Sequence, residues 1–274
     1  MFEALANFFN TVIMILNNYG GLLAKGTGVT ILLAIVGTGV GFLIGLLIGV
    51  YKTLPIREDD STLKKVLYKV FSFLLSAYIE VFRSTPMMVQ ATVIFYGAAW
   101  AFGLRLDPVT AGMFIISINT GAYMAESVRG GIISIDPGQT EGAKAIGLTH
   151  VQTMVSVILP QAFRNILPQI GNNFIINLKD TSVMFIIGFT EFFATHKAVA
   201  GATFKYFPSA ALEMVGYLCM TLIASFLLRY VEKKLDGSSS YELVQVDPLT
   251  MTAGTYNHPH KGSPFDERSK EVGR

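Results

Sequence analysis

Five long blocks of apolar residues dominate the hydropathy pattern of this chain. A helix needs roughly 20 mostly apolar residues to cross the hydrocarbon core of a bilayer, which is about 30 Å thick. We therefore predict an all-α integral membrane protein with about five transmembrane helices. The five blocks run from Thr27 to Tyr51, from Ala77 to Phe102, from Val109 to Ser127, from Ile166 to Phe189 and from Phe207 to Arg229.

The residues that precede the first block follow a different pattern. Phe2, Leu5, Phe9, Val12 and Leu16 recur at steps of three or four, and polar residues occupy many of the other positions. This spacing is typical of one face of a helix. We predict an N-terminal amphipathic segment, residues 1–26, that lies at the membrane surface before a transmembrane domain of residues 27–235. A frayed hydrophobic tail is the alternative.

The first block carries a stripe of glycines at every fourth position. Gly37, Gly41, Gly45 and Gly49 remove side-chain bulk from one side of the predicted helix. Another helix can therefore approach closely along this stripe. We favour packing inside the subunit over a contact between two copies of the chain.

Lysine and arginine are distributed unequally among the segments that connect the blocks. They are concentrated after the first block, between the third and fourth blocks and after the fifth. The positive-inside rule places these segments in the cytoplasm. The N-terminus is then outside and the C-terminus is cytoplasmic. On the outer side we find only Lys25, Arg105, Lys197 and Lys205.

Composition supports the membrane class and excludes several others. Hydrophobic residues make up 51% of the 274 residues and charged residues only 15%, whereas soluble domains carry about 25% charged residues. A net charge of +2 gives no reason to expect a nucleic-acid partner. Since Cys219 is the single cysteine, neither an internal disulfide nor a thiolate metal site can form, and we predict no metal. Residues 236–274 are polar, and we predict a disordered cytoplasmic tail there.

The cytoplasmic loop of about residues 129–165 is longer than a simple connector requires. Asp136 can cap a helix whose first position is Pro137, which is a favourable helix start. Small residues at positions 142, 143, 145 and 147 predict a compact helical surface that can dock closely against another protein. Pro160 then breaks or kinks the chain.

At this loop the sequence resembles the inner-membrane permease subunits of ATP-binding-cassette importers. Their signature is Glu-Ala-Ala, three residues, Gly, nine residues, Ile, any residue and Leu-Pro. The matching positions here are Glu141-Gly142-Ala143, Gly147, Val157 and Leu159-Pro160, with Gly142 replacing Ala and Val157 replacing Ile. The resemblance covers about residues 27–232 and is greatest to the polar amino acid permeases. Further matching runs are 82–86 (FRSTP), 121–126 (GAYMAE) and 178–182 (LKDTS).

The resemblance implies that the loop is a coupling helix seated in a groove of a separate ATPase subunit. An amphipathic helix resting on the membrane surface is the alternative. The sequence contains no Gly-x-x-x-x-Gly-Lys-Ser/Thr run, so we expect ATP to be bound by a partner subunit and no cofactor by this chain. Other implied partners are a second permease subunit, identical or homologous, and an extracytoplasmic amino-acid-binding protein. The candidate ATPase-coupling residues are Glu141, Gly142, Ala143, Gly147, Leu159 and Pro160.

Two polar stripes interrupt the third and fourth blocks, each at steps of three to four residues. Polar groups at membrane depth usually face the protein interior or a water-filled path. Two facing stripes suit a zwitterionic solute, although the same residues could equally pair with one another and cross-link helices. The candidate substrate-path residues are Asn119, Tyr123 and Glu126 in the first stripe and Asn173, Asn177, Lys179, Asp180 and Thr181 in the second.

These observations predict a non-catalytic transport subunit of an amino acid importer in a bacterial inner (plasma) membrane, which the chain crosses several times. A stand-alone, ion-coupled carrier or channel for a small zwitterion is the main alternative, but no internal repeat supports it. An intramembrane enzyme would need a catalytic cluster or a metal motif. His150 and His196, however, fall near opposite membrane faces in the predicted topology.

Overall fold

The computed structural model describes residues 2–56 and 60–235, and these residues form helices joined by short connections without any strand. The all-α prediction is confirmed. A π-helical turn, Met154–Ile158, precedes α7, and a 3₁₀ segment, Thr181–Ile187, follows it. The helices are α1 (Phe2–Lys52), α2 (Thr62–Ser84), α3 (Met87–Phe102), α4 (Pro108–Ile133), α5 (Pro137–Ala145), α6 (His150–Thr153), α7 (Leu159–Asp180), α8 (Phe192–Thr203) and α9 (Tyr206–Leu235).

Helices α1 and α4 form the centre of the fold, and the glycine stripe brings them together. A Cβ atom added at Gly41 would lie 2.6 Å from the Cβ of Thr120, and one at Gly49 would lie 2.6 Å from the Cγ1 of Val128. Gly37 and Gly45 meet Ile116 and Met124 in the same way. The stripe therefore packs inside the subunit, as the sequence predicts.

The directions of the long helices alternate through the fold. Residue numbers rise together along α1 and α4 in the glycine contacts, so these two helices are parallel. Helix α7 is antiparallel to both, since Gly131 of α4 meets Ile166 and Thr120 meets Asn177. Helix α9 reverses again, since Leu228 lies against Gly171 and Ala224 packs with Leu178. The loop end of the fold is thus the end that carries α5 and α6, and the opposite end carries α8.

Helix α1 runs without a break across residue 26, where a boundary is predicted. Its 51 residues extend about 77 Å at 1.5 Å per residue, more than twice the hydrocarbon thickness of a bilayer. Ile15 and Leu23 are buried against Phe192, Val199 and Met220 of α8 and α9. In the structure residues 2–26 continue the first span as one helix and pack on the fold, so no boundary is visible at residue 26.

The predicted second span, Ala77 to Phe102, is wrong in its form. Helix α2 begins at Thr62 and ends at Ser84, and α3 begins only after Pro86. Proline has no N–H group, so the carbonyl oxygen of Phe82 loses its helical partner. The side-chain amide of Gln90 donates to that oxygen at 2.9 Å and to the carbonyl oxygen of Thr85 at 2.8 Å. A window of hydropathy does not detect such a break.

The remaining spans agree with the structure to within several residues. Helix α4 begins at Pro108 and extends to Ile133, beyond the predicted end at Ser127. Helix α7 begins seven residues before the predicted Ile166, and the 3₁₀ segment ends near the predicted Phe189. Helix α9 extends to Leu235. The predicted disordered tail, residues 236–274, lies outside the described residues.

By length and hydropathy alone, α1 and α9 each qualify as membrane-spanning helices among the described residues. The stretch from His150 to Ile187 qualifies together with α8 as a pair bent by 57°. Helix α3 is too short for this criterion, and the polar residues of α2 and α4 lower the mean hydropathy of those helices. The count of about five spans is approximate for that reason.

Candidate coupling surface and transport path

Helix α5 is a short helix that is capped at both ends. At its start the Asp136 carboxylate accepts a hydrogen bond from the backbone N–H of Gly138 at 2.7 Å, and Pro137 occupies the first turn. At its end Gly147 adopts a φ of +85°, which a side chain disfavours. The N–H of Leu148 then donates to the carbonyl oxygen of Ala143 at 3.1 Å, which closes the helix. The local sequence therefore specifies α5 without help from a partner.

The two sides of α5 are unlike one another. Ala143 is 6% exposed and faces the rest of the subunit. Glu141, Gly142 and Gly147 face outward, and Ile146 beside them is 79% exposed. We name these four exposed residues the coupling edge. This edge combines small residues, an exposed carboxylate and an exposed apolar side chain outside the apolar blocks, which leaves room for the close approach of another protein.

A π-helical turn connects the coupling edge to the long helices. The N–H of Leu159 donates to the carbonyl oxygen of Met154, five residues earlier, just before Pro160. The wider turn accommodates Pro160, whose ring would clash with the preceding turn of a regular α-helix. Leu159 is half-buried and Pro160 is exposed. These two predicted coupling residues therefore shape the connection.

An apolar cluster fixes this turn to the membrane helices. The buried members are Val128 and Ile132 of α4, Met154 and Ile158 of the π-helical turn, and Ala162 and Ile166 of α7. Phe42, Leu46 and Val50 of α1 pack against them. Helix α5 contacts this turn, and because packed interiors deform little, a displacement of the turn would reach three long helices together.

The α4 stripe of candidate path residues forms one partly exposed face. Asn119 donates to Gln90 Oε1 at 2.8 Å and to the carbonyl oxygen of Phe82 at 3.3 Å, so it also holds the break between α2 and α3. Tyr123 is exposed, and the guanidinium of Arg83 lies 5.7 Å from its ring centroid. Glu126 pairs with Arg129 at 3.0 Å. We name Arg83, Asn119, Tyr123 and Glu126 the polar face.

The α7 stripe does not face the α4 stripe as a unit. Asn177 is only 4% exposed, and its side-chain amide donates to Thr38 Oγ1 at 2.9 Å and to Thr120 Oγ1 at 3.0 Å. These bonds cross-link α7 to α1 and α4, which is the structural alternative that the sequence leaves open. Among the residues that the structure describes, Asn173 donates to its own helix, at the carbonyl oxygen of Gln169.

The other three candidates of the α7 stripe differ in exposure. Thr181 is buried and donates to the carbonyl oxygen of Leu178. Lys179 is exposed and Asp180 is half-buried. Within the described ranges, Lys179 makes no ion pair within 4.0 Å with Asp180 or Glu126. Its ammonium group is therefore directed away from the subunit interior.

We expect replacement of Asn177 by leucine to lower the free energy of unfolding by about 1–2 kcal/mol, because two buried threonine hydroxyls lose their partner. Asn173→Leu, one turn earlier, is the matched control and should change stability by less than about 0.5 kcal/mol. Unfolding in detergent measures the free energy of unfolding of both variants. Equal effects of the two substitutions would contradict the structural role of Asn177.

Sequence reasoning missed a buried carboxylate at the end opposite the loop end. Glu191 is fully buried and caps α8, accepting from the N–H groups of Phe193 at 3.0 Å and Ala194 at 2.9 Å. Thr30 of α1 and the Tyr217 hydroxyl of α9 also donate to it, each at 3.1 Å. A glutamate is not among the preferred cap residues, so its position gives little warning of this role.

The two histidines lie at opposite ends of the fold, as expected from the sequence. His150 begins α6 at the loop end. His196 of α8 is buried, with Nδ1 2.7 Å from Ser209 Oγ and Nε2 3.2 Å from Glu213. They cannot form one site together.

Comparisons with known proteins agree with this architecture. The family described as "Binding-protein-dependent transport system inner membrane component" matches residues 62–237. The glutamine transport system permease protein GlnP of Escherichia coli (strain K12) is 36% identical over 215 residues, which cover 78% of this chain and 93% of that protein. The arginine transport system permease protein ArtQ of Bacillus subtilis (strain 168) is 29% identical over 214 residues, covering 78% and 92%.

A solved structure shows the same fold. The crystal structure of an amino acid ABC transporter with histidines matches with a TM-score of 0.71 and 35% sequence identity. The match covers 81% of this chain and 97% of that chain. The chain belongs to the family of binding-protein-dependent transport system inner membrane components and is a membrane-spanning permease subunit.

Proposed function

We propose that this chain is the permease subunit of an ATP-binding-cassette importer for a polar amino acid. The observation that carries the proposal is the coupling edge, an exposed apolar and acidic surface on a capped helix that is packed onto three long helices. Two relatives carry glutamine and arginine in their names, which supports an amino acid as the solute. The exposed polar face supports a polar solute.

In this proposal the chain performs no covalent chemistry and binds no cofactor. A separate ATPase subunit binds and hydrolyses ATP and contacts the coupling edge. Closure of an ATPase pair displaces α5, and the apolar cluster around Met154 and Ile158 carries the displacement into α1, α4 and α7. Ala143 contributes by fixing α5 against the subunit, since it faces inward.

A second permease subunit, identical or homologous, completes the translocation path. Arg83 and Tyr123 are exposed on one subunit at the level of the spans, and exposed charge is costly in lipid. A second subunit, with water between the two, would cover the polar face. Lys179 is a further candidate for the solute carboxylate and Glu126 for its ammonium group, although Arg129 already pairs with Glu126.

The orientation that we propose places the loop end in the cytoplasm of a bacterial cell. Lys233 and Lys234 end α9 at the loop end, and Lys144 ends α5 there, in accord with the positive-inside rule. The N-terminus is then outside and the C-terminus inside. An extracytoplasmic binding protein delivers the amino acid to the end that carries α8.

Uptake by proteoliposomes tests the transport claim. With the ATPase and ATP inside and the binding protein outside, we expect radiolabelled glutamine or arginine to accumulate only while ATP is hydrolysed. Vesicles without ATP are the control. Equal uptake with and without ATP would contradict the proposal in favour of a stand-alone carrier.

A further inference from the structure

The turn between α8 and α9 contains a backbone conformation that the residue type opposes. Phe204 adopts a φ of +55°, in the left-handed region. The other positive φ values among the described residues all belong to glycines, at positions 103, 147 and 188. A bulky side chain is uncommon in this region because its Cβ atom crowds the backbone. Glycine would satisfy this turn at lower cost, so the phenylalanine needs a reason.

The ring of Phe204 makes little contact with its own subunit. The residue is 91% exposed, so burial in the fold does not repay the conformational cost. Strained residues that persist in a fold concentrate at binding surfaces and other functional sites. A partner outside the subunit would supply that reason.

The turn around Phe204 is ordered by its own contacts. The Thr203 hydroxyl donates to the carbonyl oxygen of Val199 at 2.8 Å and accepts from the N–H of Lys205 at 3.3 Å. The Lys197 ammonium donates to the Tyr206 hydroxyl at 2.9 Å and lies 4.7 Å from the centroid of that ring. These contacts hold the backbone of the turn, so the Cα–Cβ bond of Phe204 points outward.

The position of the turn decides which partner it can reach. Helix α9 is antiparallel to α7, so its first residues lie at the end of the fold opposite α5. Under the proposed function that end is outside the cell. The family to which the chain belongs depends on a binding protein, which must dock at the outer end.

We propose that Phe204 is an anchor residue that docks the extracytoplasmic binding protein onto this permease, which rests on the proposed function. Because the backbone of the turn is already ordered, binding there costs little backbone entropy, and aromatic anchors dominate the energetics of many interfaces. Lys205 beside it is exposed and favours an acidic rim on the partner. Insertion into lipid headgroups would need no fixed backbone conformation, so the strain favours a protein partner.

Photocrosslinking in whole cells identifies the occupant of this position. Benzoylphenylalanine at position 204 should form a protein adduct that mass spectrometry identifies as an extracytoplasmic solute-binding protein. The same probe at Phe226, an exposed position about two thirds of the way along α9, is the control and should yield lipid adducts only. Lipid adducts alone at position 204, or a protein of another class, would overturn the proposal.

A substitution that relieves the strain measures the contribution of the ring. In the complete complex in nanodiscs, Phe204→Gly should retain basal ATP hydrolysis. The concentration of the crosslinked binding protein that stimulates ATP hydrolysis to half of its maximum should rise about tenfold or more. Asparagine also tolerates this φ, so Phe204→Asn should show the same rise in half-saturating concentration. Wild-type half-saturation in both variants would overturn the docking role. Failure of the proposed function is distinguishable, since the wild-type complex itself would then show no stimulation.

Discussion

Gly45→Leu in α1 is expected to destabilise the subunit by about 3 kcal/mol or more, because α4 leaves no room for a side chain there. A Cβ atom at residue 45 would lie 2.6 Å from the backbone carbon of Met124 and 2.7 Å from the backbone nitrogen of Ala125. Backbone atoms cannot move aside as a flexible side chain can. The two central helices would have to separate, and folding of the subunit depends on their contact.

Gly39→Leu is the matched control on the same helix. A Cβ atom at residue 39 meets nothing within 4 Å, and the position is exposed. This substitution should change stability by no more than about 0.5 kcal/mol. Unfolding in detergent and the yield of monodisperse protein measure the stability of the Gly45→Leu and Gly39→Leu variants. If the two variants were equally stable, α1 and α4 would not pack as described.

Glu141→Lys is expected to reduce the affinity of the ATPase subunit about tenfold or more and to lower ATP-dependent uptake in proportion. The carboxylate is exposed on α5 and lies outside the capping interactions of that helix, so the fold does not require it. Reversal of charge at a docking surface leaves an unpaired charge against the partner. Co-purification in mild detergent measures the loss.

Glu232→Lys provides the control for this substitution. It makes the same charge change at the loop end of the fold, but in the last turn of α9 rather than on α5. The control variant should retain the ATPase subunit. If Glu141→Lys also kept wild-type co-purification and uptake, the coupling role of α5 would be wrong.

The sequence predicts the features that depend on local or periodic patterns. The Asp136-Pro137 start, the glycine at 147 and Pro160 specify α5 and the turn before α7 from neighbouring residues alone. The four-residue spacing of the glycine stripe likewise predicts a close helix contact. Each of these patterns depends on the geometry of a single helix, which a sequence shows directly.

Features that depend on distant residues could not be predicted in the same way. Asn177 is buried because Thr38, 139 positions away, accepts its hydrogen bond, and no local pattern indicates that pairing. Ile15 packs on α8 and α9, so the expected break after residue 26 is absent. Glu191 is satisfied by Thr30 and Tyr217 from two other helices. In each case, tertiary contacts decide the environment of a residue that the sequence leaves ambiguous.

The most direct test of the central claim is a mild-detergent purification of the tagged chain, with identification by mass of the proteins that accompany it. The account predicts a stoichiometric ATPase subunit whose hydrolysis is stimulated by an amino acid together with its binding protein. A chain that purified alone and moved solute across liposomes without ATP would contradict the account.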